Sequence, residues 1–409
     1  MADVCVLIDQ DHLRHPIVRR QLPSLLAAGH RVVVIEPADA CSTNAGSSGY
    51  RRLTIRRVQL WRPARLLWGV ARRIAGQRAS EAWWTAVHFL ELALTGLRYT
   101  RAAVRQQVDC YQAHDLATLG PAVVAAKLRR RRVIYDAHEL VSEQGDPHSL
   151  RNRVERRLER WLVALVDDLV VPNPSRAEVY RQRCRLKRAP TVVLNCPPTF
   201  TAARSDLLRE CLGLSPAHRI VLYHGTFMPN RALEELVVSA RAYDPGTILV
   251  LIGEQNAYFN HVLEPIRQAH GLTNRVLCLP YVEPDRVLEL VASADLGIVI
   301  YKNTGLNNYL CAPTKLYEFL MAEVPVVVSA FPEMLALLSE YRVGRAFDPA
   351  DPDSIAAAIN AHFRAGAEEQ QEVKRALKAA RQRYTWEIES PKLLALLETP
   401  QRQPACASA

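Results

Sequence analysis

Short valine- and isoleucine-rich runs alternate with amphipathic stretches along most of this chain, and halfway through the alternation begins again. "VCVLI" (4–8), "RVVVIEP" (31–37), "VDCYQAHD" (108–115), "RVIYDAHEL" (132–140), "DLVVPN" (168–173) and "TVVLNCPP" (191–198) form one series. "RIVLYHG" (219–225), "TILVLIG" (247–253), "RVLCLPY" (275–281), "DLGIVIY" (295–301) and "VPVVVS" (324–329) form the next. Continuous apolar runs of this length suit strands buried on both faces, and strands separated by helices pair in parallel. Helical patterns fall between them, at 17–28, 117–129, 149–166, 231–243, 258–271, 284–294 and 313–322. The pattern predicts an α/β chain of two doubly wound, Rossmann-like domains facing a cleft. The two prolines of "NCPPTF" read as the linker, which gives a first domain over 1–197 and a second over 198–381. Ligands of open parallel sheets sit at the carboxyl ends of the strands. Those ends carry Asp9, His114, Asp115, Asp136, His138, Glu139, Gly225, Gly253, Glu254 and Tyr301.

Composition excludes several other classes. The nine cysteines are scattered with no Cys-x-x-Cys pair, so neither a disulfide framework nor a zinc site is expected. No apolar run reaches the roughly 18 residues of a membrane span, and "MADVCVLIDQ" carries acids where a signal peptide is basic. A cytoplasmic protein is expected. The net charge of +10 is uneven, because 40–80 holds nine arginines and no acid. Within the basic segment 51–107, residues 51–78 interleave arginine with Trp61, Leu66, Leu67 and Trp68. This predicts contact with an anionic membrane surface, peripheral on its inner face. The competing reading packs the apolar side on the protein's own core. No nucleic-acid-binding signature is present.

The chemistry-bearing stretch is "APTKLYEFLMAEVPVVVS" (312–329), a helix that begins with Pro313 and feeds a buried strand. Pro313 suits the first helical turn. The free N–H groups and the dipole there attract anions, and Lys315 adds a charge. Glu318, three residues on, can accept hydrogen bonds from a ribose diol. The competing reading is a surface Lys–Glu pair. "YHGTFMPNRALEEL" offers a second anion site: Gly225-Thr226 lets a phosphate approach the backbone, and Arg231 can grip it. Neither Gly-x-Gly-x-x-Gly nor a Walker sequence occurs, against a dehydrogenase or P-loop ATPase. Asp9-Gln-Asp11 and Asp351-Pro-Asp353 match Asp-x-Asp formally, the second as a helix cap.

"YQAHDLATLGPAVVAAK", "VIYDAHEL", "VLYHGTFMPNRALEEL" and "NNYLCAPTKLYEFLMAEVPVVVSAFPEM" resemble the blocks of glycosyltransferase family 4, retaining enzymes of the GT-B fold. "YTWEIES" (384–390) is similar to the stretch where such chains cross back, implying a crossover helix at 382–399. The resemblance implies that Glu318 holds the donor ribose, with Lys315 and Arg231 near the diphosphate. It implies that Tyr281-Val282 meets the base and that His114 faces the donor sugar. Asp115 is taken with His114, while His138 and Glu139 line the acceptor side. Gly225, Thr226, Gly253 and Glu254 complete the donor loops. A glutamate usual eight positions before Glu318 is Leu310 here, so Asn307 or Asn308 is expected to substitute. Two usual glycines are Ala232 and Glu323. Such enzymes use no metal or cofactor, and none is assigned.

The expected function is transfer of a sugar from a nucleotide-diphosphate sugar to a lipid-linked or polysaccharide acceptor. His114, Arg231 and Lys315 would be the catalytic residues. The alternatives are a sugar-nucleotide epimerase or hydrolase of the same fold, and a binding protein with a decayed site.

Overall fold

A computed structural model describes residues 1–11, 15–38, 49–61, 64, 77–144, 146, 148–201 and 205–398. The chain forms two compact units, Met1–Val193 with Ser390 onward, and Leu194–Glu389. In the first unit the strands are β1 (Asp3–Leu7), β2 (Arg31–Pro37), β3 (Arg51–Ile55), β4 (Cys110–His114), β5 (Arg132–Asp136), β6 (Asp168–Val171) and β7 (Thr191–Val192). They pair in parallel in the order β3-β2-β1-β4-β5-β6-β7. The second unit holds β8 (Arg219–His224), β9 (Thr247–Ile252), β10 (Val276–Leu279), β11 (Leu296–Val299), β12 (Val326–Ser329) and β13 (Gly344–Phe347). Their order is β10-β9-β8-β11-β12-β13, again parallel.

Both sheets are doubly wound and reverse direction once, between β1 and β4 and between β8 and β11. That reversal opens a crevice at the carboxyl ends of the central strands. β1 runs into Ile8 and Asp9 there, and β4 into His114. β8 ends at His224, and β11 leads to Tyr301.

Two edge strands were not legible in the sequence. β3 lies within the basic segment expected at a surface. Arg52 pairs with Glu36 of β2, which is fully buried, and Arg57 pairs with Asp9 at 3.2 Å. These two arginines therefore serve the fold. Trp61 is exposed, whereas Arg62, Arg65, Trp68, Arg72, Arg73 and the side chain of Arg78 lie outside the described residues. β13 begins at Gly344, where a Cβ would stand 1.6 Å from the Val326 carbonyl oxygen, so only glycine permits this pairing.

Packing also fixes the helix Thr314–Met321. Phe319 is fully buried against β11, and a Cβ at Gly297 would lie 2.4 Å from its ring. The missing side chain on the strand thus seats the helix, and burying a phenylalanine contributes about 1.5–3 kcal/mol. Pro313 stands at the N-cap (φ −75°, ψ 151°), just before the first turn in which the sequence placed it. The last helix, Trp386–Glu398, starts in the second unit and from Ser390 packs with the first. There Arg132 Nη1 donates to the carbonyl of Leu396 at 2.7 Å.

Candidate active site

In the second unit, the crevice between β8 and β11 gathers two cations on two aromatic rings. Lys315 Nζ lies 3.9 Å from the ring centroid of Tyr223 and 5.7 Å from that of Tyr301. Arg231 Cζ lies 4.1 Å from the Tyr301 centroid. Burial, and then Arg231, pushes the Lys315 ammonium well below the usual lysine range, against the opposing pull of Glu318 and then Cys311. Two converging positive groups at a helix N-terminus are held at a cost that an anion would offset. The surface Lys–Glu reading does not survive, because Lys315 is buried and Glu318 Oε2 instead lies 3.6 Å from His224 Nε2. Burial and then Lys315 lower His224 to about 3.

Backbone geometry leaves room above this pair. Gly225 has φ +124°, and a Cβ on it would sit 3.1 Å from Lys315 Nζ. Gly253 packs under the same turn, where a Cβ would stand 2.4 Å from the Gly225 carbonyl oxygen. Thr226 is exposed, and its carbonyl accepts from the Tyr223 hydroxyl at 3.0 Å. Glu254 is exposed beyond β9; Tyr281 (exposed) and Val282 (half-buried) follow β10 at the margin of the sheet. Asn307 and Asn308 are buried, and the Asn308 amide donates to Thr304 Oγ1 at 2.9 Å and to the Lys302 carbonyl at 3.3 Å. The usual-glycine positions prove conformationally real. Ala232 has φ +49° and Glu323 φ +54°, each costing on the order of 1 kcal/mol without glycine. Glu323 also pairs with Arg381 at 2.6 Å.

In the first unit, the β1/β4 crevice holds a buried histidine network. His114 Nδ1 and His138 Nε2 share a 2.7 Å hydrogen bond, and Asp136 Oδ1 lies 3.5 Å from His138 Nδ1. Gln21 Nε2 donates to Asp136 Oδ2 at 2.7 Å, and Gln112 donates to Gln21 at 2.8 Å. The His15 ring lies 4.9 Å from that of His138. Burial lowers the pKa values of His114 and His138 well below that of free imidazole, so both are neutral at pH 7. Asp115 adopts φ +60°, and its Oδ1 accepts from the His138 backbone N–H at 3.1 Å. Ligand atoms of His114, Asp136 and His138, and of His15, Asp115 and His138, come within 4.8 Å of one another. The hydrogen bonds on Asp136 and between the two imidazoles already occupy the first set.

Beside this network lies a cavity of about 450 Å³, within the ~300–1,000 Å³ of small-molecule sites. Asp9, His88, Leu92, His114, Glu139 and Glu155 are among its walls. Two wall side chains carry a buried polar atom with no partner among the described residues, His114 Nε2 and Glu155 Oε2. Burial opposes ionisation of Glu155, but bonds from His88 (3.2 Å) and Arg151 (2.8 Å) outweigh it and hold its pKa below the ordinary carboxylate value. Orphaned buried polar atoms cost about 1–3 kcal/mol each, and a polar ligand satisfies them.

His15 and His88, to which the sequence reading gave no role, therefore stand at this network and this cavity. Glu155 entered the sequence reading only through the helical pattern at 149–166. No spacing signal joins positions 15, 88 and 155; topology alone does.

The family model for glycosyl transferases group 1 matches residues 206–383, and that for glycosyltransferase family 4 matches residues 17–197. No curated protein matches the chain. Among solved structures it is similar to sucrose-phosphate synthase from Thermosynechococcus elongatus, at 16% identity over 97% of this chain and 98% of that one (TM-score 0.74). It is also similar to HepE from Anabaena in complex with UDP, at 16% identity over 97% and 99% of the two chains (TM-score 0.72). A third is the α,α-trehalose 6-phosphate synthase of Burkholderia multivorans, at 14% identity over 97% and 98% (TM-score 0.68). At these identities the likeness is one of fold.

Proposed function

Since the chain belongs to the group 1 glycosyltransferases and has the GT-B fold, we propose that it moves a sugar, with retention, from a nucleotide-diphosphate sugar to a glycan or lipid-linked acceptor. The observation that carries this reading is the cation pair of Lys315 and Arg231, stacked on Tyr223 and Tyr301 beside Gly225. A departing diphosphate would gain most where a buried lysine, a half-buried arginine and a helix N-terminus already converge. Glu318, set by His224, would accept from the ribose hydroxyls. The HepE structures that resemble this chain contain UDP or UDP-glucose, which supports a nucleotide-sugar donor.

The glycan part of the acceptor would occupy the cavity of the first unit. Its walls mix carboxylates with arginines that they already neutralise, as Asp9 does Arg57 and Glu155 does Arg151, which favours neutral hydroxyls over a further anion. His114 Nε2 would meet one such hydroxyl. Attack on the face the phosphate leaves, with the phosphate oxygen taking the acceptor proton, needs no covalent nucleophile. No described helix is long and apolar enough to cross a membrane, so a lipid-linked acceptor would be met from its surface.

The test is a panel of nucleotide sugars incubated with the protein, with and without a membrane lipid extract. Transfer that requires both components is expected. Donor turnover without acceptor would make it an epimerase or hydrolase, and no turnover with retained binding a decayed site.

A further inference from the structure

The helix Leu150–Val163 reads LRNRVERRLERWLV, with charges of both signs intermixed, yet the fold sorts them. Glu155 and Glu159 turn inward, 2% and 1% exposed. Glu155 meets His88 and Arg151, and Glu159 Oε1 accepts from the hydroxyls of Tyr135 and Tyr180 at 2.7 and 2.6 Å. Arg153, Arg157 and Arg160 remain exposed and have no ion pair among the described residues. Positions 153, 156, 157 and 160 follow the i, i+3, i+4, i+7 spacing of one helical face. Arg183, from the neighbouring helix Pro174–Arg183, joins them, and these arginines line a cleft of about 210 Å³. Glu143 reaches the group at 3.4 Å from Arg156 and 2.9 Å from Arg183. Next to Arg160, the indole of Trp161 is 63% exposed.

Stacked like charges repel, and an exposed indole beside them leaves apolar area in water. We propose that this face docks on the anionic headgroups of a lipid surface. The four arginines of the helix spread over roughly 10 Å of its length at 1.5 Å per residue. That span suits a row of headgroups better than one free phosphate. An aromatic ring at the edge of a basic face is favoured at the headgroup level. The proposal goes beyond the transfer reaction and does not depend on it. It also places a lipid contact on described residues, separate from 51–78.

The test is co-sedimentation of the full chain with phosphatidylglycerol-containing vesicles and with pure phosphatidylcholine vesicles at low salt. Wild-type protein is expected to pellet with the anionic vesicles alone. The triple variant Arg153→Gln/Arg157→Gln/Arg160→Gln changes exposed side chains and should keep its circular dichroism. Each basic residue near an anionic surface is worth about fivefold, so the triple variant should lose about a hundredfold in vesicle affinity. Trp161→Ala should weaken binding to the same vesicles. Vesicle binding that survives the triple variant overturns the proposal, and so does failure of the wild type to pellet. Binding of pyrophosphate or of a DNA duplex to these arginines in place of vesicles overturns it as well.

Discussion

Lys315 Nζ stands 3.9 Å from the ring centroid of Tyr223, beneath a turn where Gly225 takes φ +124°. A lysine held against a ring and away from water is a poor resting state for a cation, since burial already lowers its pKa. The arrangement stores an unmet electrostatic demand at the place where the diphosphate is proposed to leave.

Lys315→Ala and Arg231→Ala should therefore lower kcat by about 10²–10³, the range for losing one preorganised charge-stabilising group. Donor KM should rise less, because the charge develops in the transition state. Steady-state kinetics at saturating donor check this. Full turnover in both variants would remove these residues from the mechanism.

Glu318→Ala should weaken nucleotide binding about tenfold or more, from loss of a charge-assisted bond of about 1.5–3 kcal/mol. Calorimetric titration with a panel of nucleoside diphosphates measures it. Equal affinity in a folded variant would show that the ribose is held elsewhere.

Gly253→Ala places a methyl 2.4 Å from the Gly225 carbonyl oxygen. The turn above Lys315 must then move, at about 1–3 kcal/mol. Urea denaturation should register that loss, and nucleotide affinity should fall with it. An unchanged midpoint would mean that the turn yields freely.

Leu92→Trp fills part of the 450 Å³ cavity without changing any charge. Transfer to acceptor should drop at least tenfold, while nucleotide affinity in the other unit stays constant. Equal loss of both would argue against an acceptor role for the cavity.

His15 gives a pH prediction. Burial, and then Arg20, lowers its folded pKa to about 4. The unfolded chain takes up this proton first, so the contribution is complete above about pH 6.5 and is lost as pH falls toward 4. Over that window the loss is about 3 kcal/mol at 1.36 kcal/mol per unit. His15→Gln should lack this component. Denaturation of both proteins at pH 7 and pH 5 measures the difference, and parallel curves would contradict it.

What the sequence determined by itself is local. The apolar runs that become β1, β2, β8, β9 and β12 are continuous, and the intervening helices carry their own periodicity, so two doubly wound units were legible before any coordinates. The block around Lys315 and Glu318 was legible because helix start, charge and strand lie within a few residues of one another. β3 and β13 were not, since each is short, lies at a sheet edge and draws its order from a neighbour: Arg52 on Glu36, and Gly344 under Val326. Tertiary structure alone decided that His15, His88 and Glu155 belong to one corner, because the reversal of the sheet between β1 and β4 brings together residues far apart in sequence. It alone separated the acids of the helix Leu150–Val163 from its arginines, since the side that is buried depends on what packs against it. Period and composition are properties of neighbours along the chain, whereas burial and convergence are properties of neighbours in space, and on those the chemistry depends.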